Sequence, residues 1–206
     1  MKKIQLNLGS GIYIRKDFIN VDNFFTLEEL KEGIKTKKGK YKDARIEKGA
    51  EFVKADILHL PFPDNYADYV EAMEVIEHFP MWHILEYMKE IYRVMKPGAK
   101  LIIMTNNMTG LCLDWMEMMT QDFDINQYYR VAETIYGNQY GDSEGEYHRC
   151  PITPKFLNNV LFQAGFKKGE MWIIPKNALM TKQIGTLPIN KKTVARNELL
   201  IAEVTK

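Results

Sequence analysis

"LNLGSG" at residues 6–11 and "FINVD" at residues 18–22 decide how the chain folds. Ile4, Leu6 and Leu8 alternate with polar residues, the period of a half-buried strand, and the strand runs into two glycines around a serine. The second stretch is a short strand that ends on Asp22. Working outward, "EFVKAD" at 51–56 reads as a third strand, again ending on an aspartate. A Pro/Asp/Asn turn then precedes a fourth, roughly Tyr69 to Met73. Trp82, Leu85, Met88, Ile91, Tyr92 and Met95 recur every three or four residues, which predicts a helix that "KPG" at 96–98 stops. "KLIIMT" at 100–105 is apolar enough for a strand covered on both faces. In "TPKFLNNVLFQAGF", Thr153 is a helix N-cap, Pro154 opens the first turn, and Phe156, Leu157, Val160, Leu161 and Ala164 form the apolar face up to Gly165. "FKKGEMWIIP" and "ELLIAEVTK" supply two last strands. Strands alternating with helices predict an α/β domain with a mostly parallel, doubly wound sheet.

Two stretches stand outside this pattern. Residues 26–51 are rich in lysine and glycine and read as an insert, with one helix starting at Thr26, where Glu29 completes a capping box. Residues 108–150 are rich in Met and Tyr without a clean period and read as a partial cap. No repeat or linker divides the chain, so residues 1–206 are expected to form a single domain.

Composition limits what the domain does. The 206 residues are 46% hydrophobic, and 28 Lys+Arg against 27 Asp+Glu leave a net charge of +1. That balance is ordinary for a globular protein and argues against a body built to hold nucleic acid or an anionic membrane. Cys112 and Cys150 form no CxxC pair and are too few for a disulfide framework. No apolar run reaches membrane-spanning length, and Lys2 and Lys3 precede only a short alternating segment rather than a signal peptide. A cytoplasmic protein is expected.

A bare turn at the end of the first strand lets a ligand approach the backbone. The carboxylates that end the next two strands lie at the same edge. Asp22 suits a ribose diol, and Asp56 suits the exocyclic amine of adenine. A dinucleotide site would need a third glycine where Ile14 stands, and a helix between Gly11 and Asp22, which only ten residues separate. A nucleoside cofactor without phosphates fits better.

The ensemble "LNLGSG…FINVD…ADILHLPFPDNYADYVEAMEVIEHF…EIYRVMKPGAKLIIMTNN" resembles the class I S-adenosylmethionine-dependent methyltransferases, closest to a small bacterial branch with an LNLGCG-type loop. The resemblance is close over about residues 4–107 and looser beyond. It implies a Rossmann-like sheet of seven strands with an antiparallel last strand, and S-adenosyl-L-methionine as cofactor. Carried over, it places Leu8, Gly9, Ser10 and Gly11 against the methionine and ribose, Asp22 on the ribose hydroxyls, Asp56 and Ile57 beside the adenine, and Met73 and Glu74 at the methionine end. Asn7 stands where many relatives have an acidic residue that recognises the methionine ammonium.

The implied activity is methyl transfer to an oxygen or nitrogen of a small acceptor, a sugar or secondary metabolite. An in-line displacement of this kind needs alignment and exclusion of water, with a base only where the acceptor must lose a proton. His78 and His148 are the histidines placed for that work, with His148 favoured because its segment varies with substrate. Glu77 is expected to cap or solvate the following helix. The cofactor-only site needs no metal. One alternative is an RNA 2′-O-methyltransferase, because "EVIEH" at 74–78 resembles the Glu-Glu-His magnesium set of small-RNA methyltransferases. Another is a catalytically silent partner subunit. The tyrosines (Tyr128, Tyr129, Tyr136, Tyr140, Tyr147) and methionines (Met116, Met118, Met119) of the cap read as packing surface rather than a base-stacking platform.

Overall fold

The computed structural model describes residues 3–118, 120, 125–137, 146–174, 183–184, 187–188 and 199–206. Met119 and Tyr140 lie outside them. Seven strands form one sheet: β1 (Gln5–Leu8), β2 (Ile19–Asp22), β3 (Glu51–Lys54), β4 (Ala67–Met73), β5 (Met95–Asn106), β6 (Lys168–Ile174) and β7 (Leu199–Thr205). Their order is β3-β2-β1-β4-β5-β7-β6. β1 to β5 pair in parallel, and β7 runs antiparallel to both neighbours. The chain therefore winds outward in both directions from β1 and β4, and the crevice beyond their carboxyl ends is where such sheets hold ligands.

The register separates two unlike faces. Leu6 pairs with Val70 and Leu8 with Ala72, and Leu101 and Ile103 of β5 continue the two rows. All six side chains are fully buried. Helices α2 (Ile84–Val94) and α5 (Pro154–Ala164) cover this face with Ile84, Met88, Ile91, Leu157 and Leu161, and pack on each other. Each such side chain contributes about 1.5–3 kcal/mol by leaving water.

The opposite face carries a polar row, Asn20–Asn7–Glu71. The short β1–β2 connection, too brief for a full helix, lays Arg15 over it. Arg15 donates to Glu71 at 2.6 Å, Tyr69 donates its hydroxyl to Glu71 at 2.7 Å, and Asn7 donates to Asn20 at 3.0 Å. Asn7 is thus buried within the sheet, 5% exposed.

The capping box at Thr26 is present. Thr26 Oγ1 accepts from the Glu29 N–H, and Glu29 accepts from the Thr26 N–H, opening helix α1 (Leu27–Thr36). Ile14, Phe25, Leu30 and Ala44 give the insert a small core separate from the main one. Thr153 and Gly165 bound α5 as expected. Trp82 does not join the apolar face of α2. It sits in the short turn Met81–His83 and is 77% exposed, because the helix begins two residues later and Ile84 takes the buried place. Met95 likewise belongs to β5 and not to the helix.

The aperiodic stretch hides two helices, α3 (Met108–Met118) and α4 (Ile125–Tyr136). α3 is apolar on most sides, so no stripe marks it. The usable signal is Asn107, whose Oδ1 accepts from the Thr109 N–H in the manner of an N-cap. Cys112 is exposed and Cys150 buried, both as free thiols. Among the described residues no helix is long and apolar enough to cross a membrane.

Candidate functional site

A cavity of about 420 Å³ lies at the carboxyl ends of β1, β2 and β4, a volume ordinary for a small-molecule site. Its floor is the glycine turn. Gly9 has φ 63°, and a Cβ there would stand 2.2 Å from Val75 Cγ2, so position 9 excludes any side chain. Asp22 fastens the turn: its two oxygens accept from the Gly11 N–H and the Phe24 N–H, each at 3.0 Å. Burial raises the pKa of this carboxyl, and the backbone donors around it oppose the rise. Asp56 caps the short turn Ile57–His59 by accepting from the Leu58 N–H at 2.9 Å, and it lines the cavity beside Ile57.

The far end is built by the residues after β4. Glu74 has φ 53°, a left-handed conformation rare outside glycine and frequent at ligand sites. Its side chain opens onto the cavity, and the surrounding protein raises its pKa. His78 lines the cavity, and the His148 ring meets it edge-on with centroids 4.9 Å apart. His78 Nδ1 faces the Tyr147 carbonyl at 3.1 Å, and His148 Nδ1 faces the Thr134 carbonyl at 2.7 Å. A carbonyl only accepts, so each Nδ1 carries the proton and each neutral ring presents Nε2 as its basic atom. Burial lowers both histidine pKa values, and the mutual repulsion of the rings lowers that of His78 further. Glu77 is 3% exposed, its pKa pushed up to about 8 chiefly by burial, and its Oε2 has no hydrogen-bond partner among the described residues. One ligating atom each from Glu77, His78 and His148 lie within 4.8 Å of one another. Glu77 therefore does not solvate a helix end.

The methyltransferase domain family matches residues 6–103, the span from β1 to the middle of β5. The sheet order and the cavity at its switch point agree with that match. The chain has the Rossmann-like fold of the class I S-adenosylmethionine-dependent methyltransferases. Demethylmenaquinone methyltransferase of Staphylococcus epidermidis is 28% identical over 134 residues, 62% of this chain and 52% of that protein. Sterol 24-C-methyltransferase of Yarrowia lipolytica is 31% identical over 119 residues, 57% of this chain and 27% of that protein. The chain thus spans about half the length, or less, of these curated relatives. A methyltransferase structure from Archaeoglobus fulgidus superposes with a TM-score of 0.59 at 16% identity, over 99% of this chain and 86% of that one. The 1,6-didemethyltoxoflavin-N1-methyltransferase of Burkholderia thailandensis, solved with its substrate and S-adenosylhomocysteine, superposes with a TM-score of 0.56 at 12% identity, over 99% and 71% of the two chains. Both likenesses bear on the fold.

Within this methyltransferase fold, Gly9, Gly11, Asp22, Asp56, Ile57, Glu74 and His78 line the cavity. Leu8, Ser10 and Met73 are not among its lining residues. Leu8 points into the main core, Met73 is buried on β4, and the Ser10 hydroxyl stays beside the Gly11 carbonyl at 3.4 Å. His148 stands behind His78 rather than on the wall. Phe24, Lys40, Tyr41, Phe79, Tyr87 and Arg149 are among the other lining residues and were not evident in the sequence. Only Phe24 carried a signal, two residues after Asp22.

Proposed function

We infer that the chain is an enzyme that moves a methyl group from S-adenosyl-L-methionine to an oxygen or nitrogen of a small-molecule acceptor in the cytoplasm. The observation that carries this is the bare turn at Gly9 and Gly11, packed so closely on Val75 that position 9 admits no Cβ, tied to Asp22 and facing Glu74 and His78 across one cavity. When bound, the cofactor supplies an electrophilic methyl on a sulfonium. The chain's residues do the rest. Asp22 accepts from the ribose hydroxyls, Asp56 and Ile57 hold the adenine edge, and Glu74 faces the methionine end. Phe24, Tyr41 and Phe79 exclude water. His78 Nε2 takes the proton of an acceptor hydroxyl, and His148 backs it. The named substrates of the two curated relatives, a quinone and a sterol, support a small-molecule acceptor, and a sugar or other specialised metabolite fits the same cavity.

Thermal shift and mass spectrometry with S-adenosylhomocysteine, followed by methyl transfer to a metabolite extract, test this reading. Absence of binding at millimolar ligand would favour a silent partner subunit. Asp22→Ala is expected to weaken S-adenosylhomocysteine binding by about 2–3 kcal/mol, the scale of lost hydrogen bonds to a charged group. Asp56→Ala should cost less, since one amine contact is lost. Calorimetry showing equal affinity for wild type and Asp22→Ala removes Asp22 from the site.

One observation favours a second reading, in which Glu77, His78 and His148 hold a divalent cation. Their ligating atoms cluster, both Nδ1 atoms are braced by carbonyls as in ligating histidines, and Glu77 Oε2 lacks a hydrogen-bond partner among the described residues. A metal there would act as a Lewis acid toward an acceptor oxygen, and the RNA-directed alternative would draw on it. The base reading expects turnover to survive a chelator. Loss with chelator and return with Mg²⁺ or Mn²⁺ would make these three residues ligands.

A further inference from the structure

Two segments meet over the cavity from opposite sides. The loop after α1 contributes Lys40 and Tyr41, and residues 146–150 contribute Glu146 and Arg149. The second segment is fastened from below. The Arg149 and Cys150 N–H groups both donate to the Glu77 carbonyl, at 2.7 and 3.0 Å, and the His148 N–H donates to the Tyr136 carbonyl at 3.0 Å. The loop is attached more lightly. It belongs to the small core of the insert and not to the main core. It is entered through two left-handed residues, Lys37 at φ 56° and Gly39 at φ 74°. It rests on α1 at Gly33, where a Cβ would lie 2.5 Å from the Tyr41 carbonyl oxygen. Across the mouth, Lys40 Nζ stands 3.6 Å from a Glu146 carboxylate oxygen, with the side chains 48% and 36% exposed.

We propose that residues 37–44 form a flap over the cofactor cavity and that Lys40–Glu146 is its latch. The proposal rests on the reading of the cavity as a nucleoside site. The chemistry suits a gate. An exposed ion pair is weak and exchanges readily with water, so it closes the mouth without trapping what lies beneath. The left-handed residues before Lys40 give the loop a turn about which to swing, and the glycine at 33 gives it a flush seat to return to. The lysine-rich insert, which as sequence reads as a solvated face, thereby places one of its lysines over the ligand.

Stopped-flow dissociation of S-adenosylhomocysteine from the full chain tests this. Lys40→Glu and Glu146→Lys should each speed dissociation about 3- to 10-fold at low salt, and the double charge swap should return most of the wild-type rate. High salt should bring wild type toward the single variants, because screening removes the latch. Gly33→Ala lifts the seat rather than the charge, so its faster dissociation should persist at high salt. Wild-type rates in both single variants, or a double swap as fast as the two defects combined, overturn the latch. Failure of the wild type to bind S-adenosylhomocysteine overturns the cavity reading and the flap with it, and shows before any substitution is made.

Discussion

His78→Ala is expected to lower turnover about 10²-fold or more while leaving the affinity for S-adenosylhomocysteine nearly unchanged. His78 lines the cavity, and its Nδ1 is committed to the Tyr147 carbonyl, so Nε2 is the free base. His148→Ala should act in the same direction but less strongly, since that ring stands behind His78 and touches it edge-on. The sign of the pH dependence follows from the direction of the shift. Burial and the second ring disfavour the imidazolium, which lowers the pKa of His78. The neutral, basic form then persists to lower pH than in an ordinary histidine, so the acid limb of kcat/KM should fall below about pH 6.5, the unperturbed value. A pH profile with that limb present in wild type and absent from the residual activity of His78→Ala would identify the titrating group. Wild-type turnover in both histidine variants would leave proximity alone as the source of rate.

Arg15→Ala is expected to destabilise the fold by about 3–5 kcal/mol, the range for removing one partner of a buried ion pair. Glu71 is fully buried and lies in the middle of the sheet. Without the guanidinium at 2.6 Å, its charge loses its cationic partner in a low-dielectric interior, although the Tyr69 hydroxyl still donates to it. The Arg15 guanidinium also stacks over Phe18 at 4.0 Å, so truncation removes packing as well as charge. Urea denaturation of wild type and variant measures the loss. Replacing both partners, Arg15→Met with Glu71→Leu, should recover most of it, because the penalty arises from the orphaned charge. A loss below about 1 kcal/mol in Arg15→Ala would place the pair among those of little net worth.

Much of the site was legible because strands announce their ends. Asp22 and Asp56 close short apolar runs, and the glycine turn closes the first strand, so three parts of the cavity could be placed by counting along parallel strands. Glu74 followed from the same logic at β4. Leu8, Ser10 and Met73 were carried over with them and do not line the cavity: Leu8 packs into the main core, Met73 is buried on β4, and Ser10 turns its hydroxyl to the Gly11 carbonyl. The fold brings the His148 ring against His78 at this end of the molecule, and which ring stands in front depended on the tertiary structure.

What the sequence determined by itself is local. The capping box at Thr26, the Thr153 cap and the Gly165 stop all involve partners within a few positions, so the pattern and the interaction are the same thing. The tertiary structure alone decided the rest. Whether Glu77 is solvated or buried depends on Asn106 of β5 beside it and on the Arg149–Cys150 backbone folded over it. Arg15 and Glu71 become a pair only because the β1–β2 loop crosses the sheet. Lys40 reaches Glu146 only because Gly33 lets the loop lie close to α1. A charged residue carries the same letter in water and in a core. Its environment is set by chain segments far away in sequence, and that environment fixes its pKa, its partner and its use.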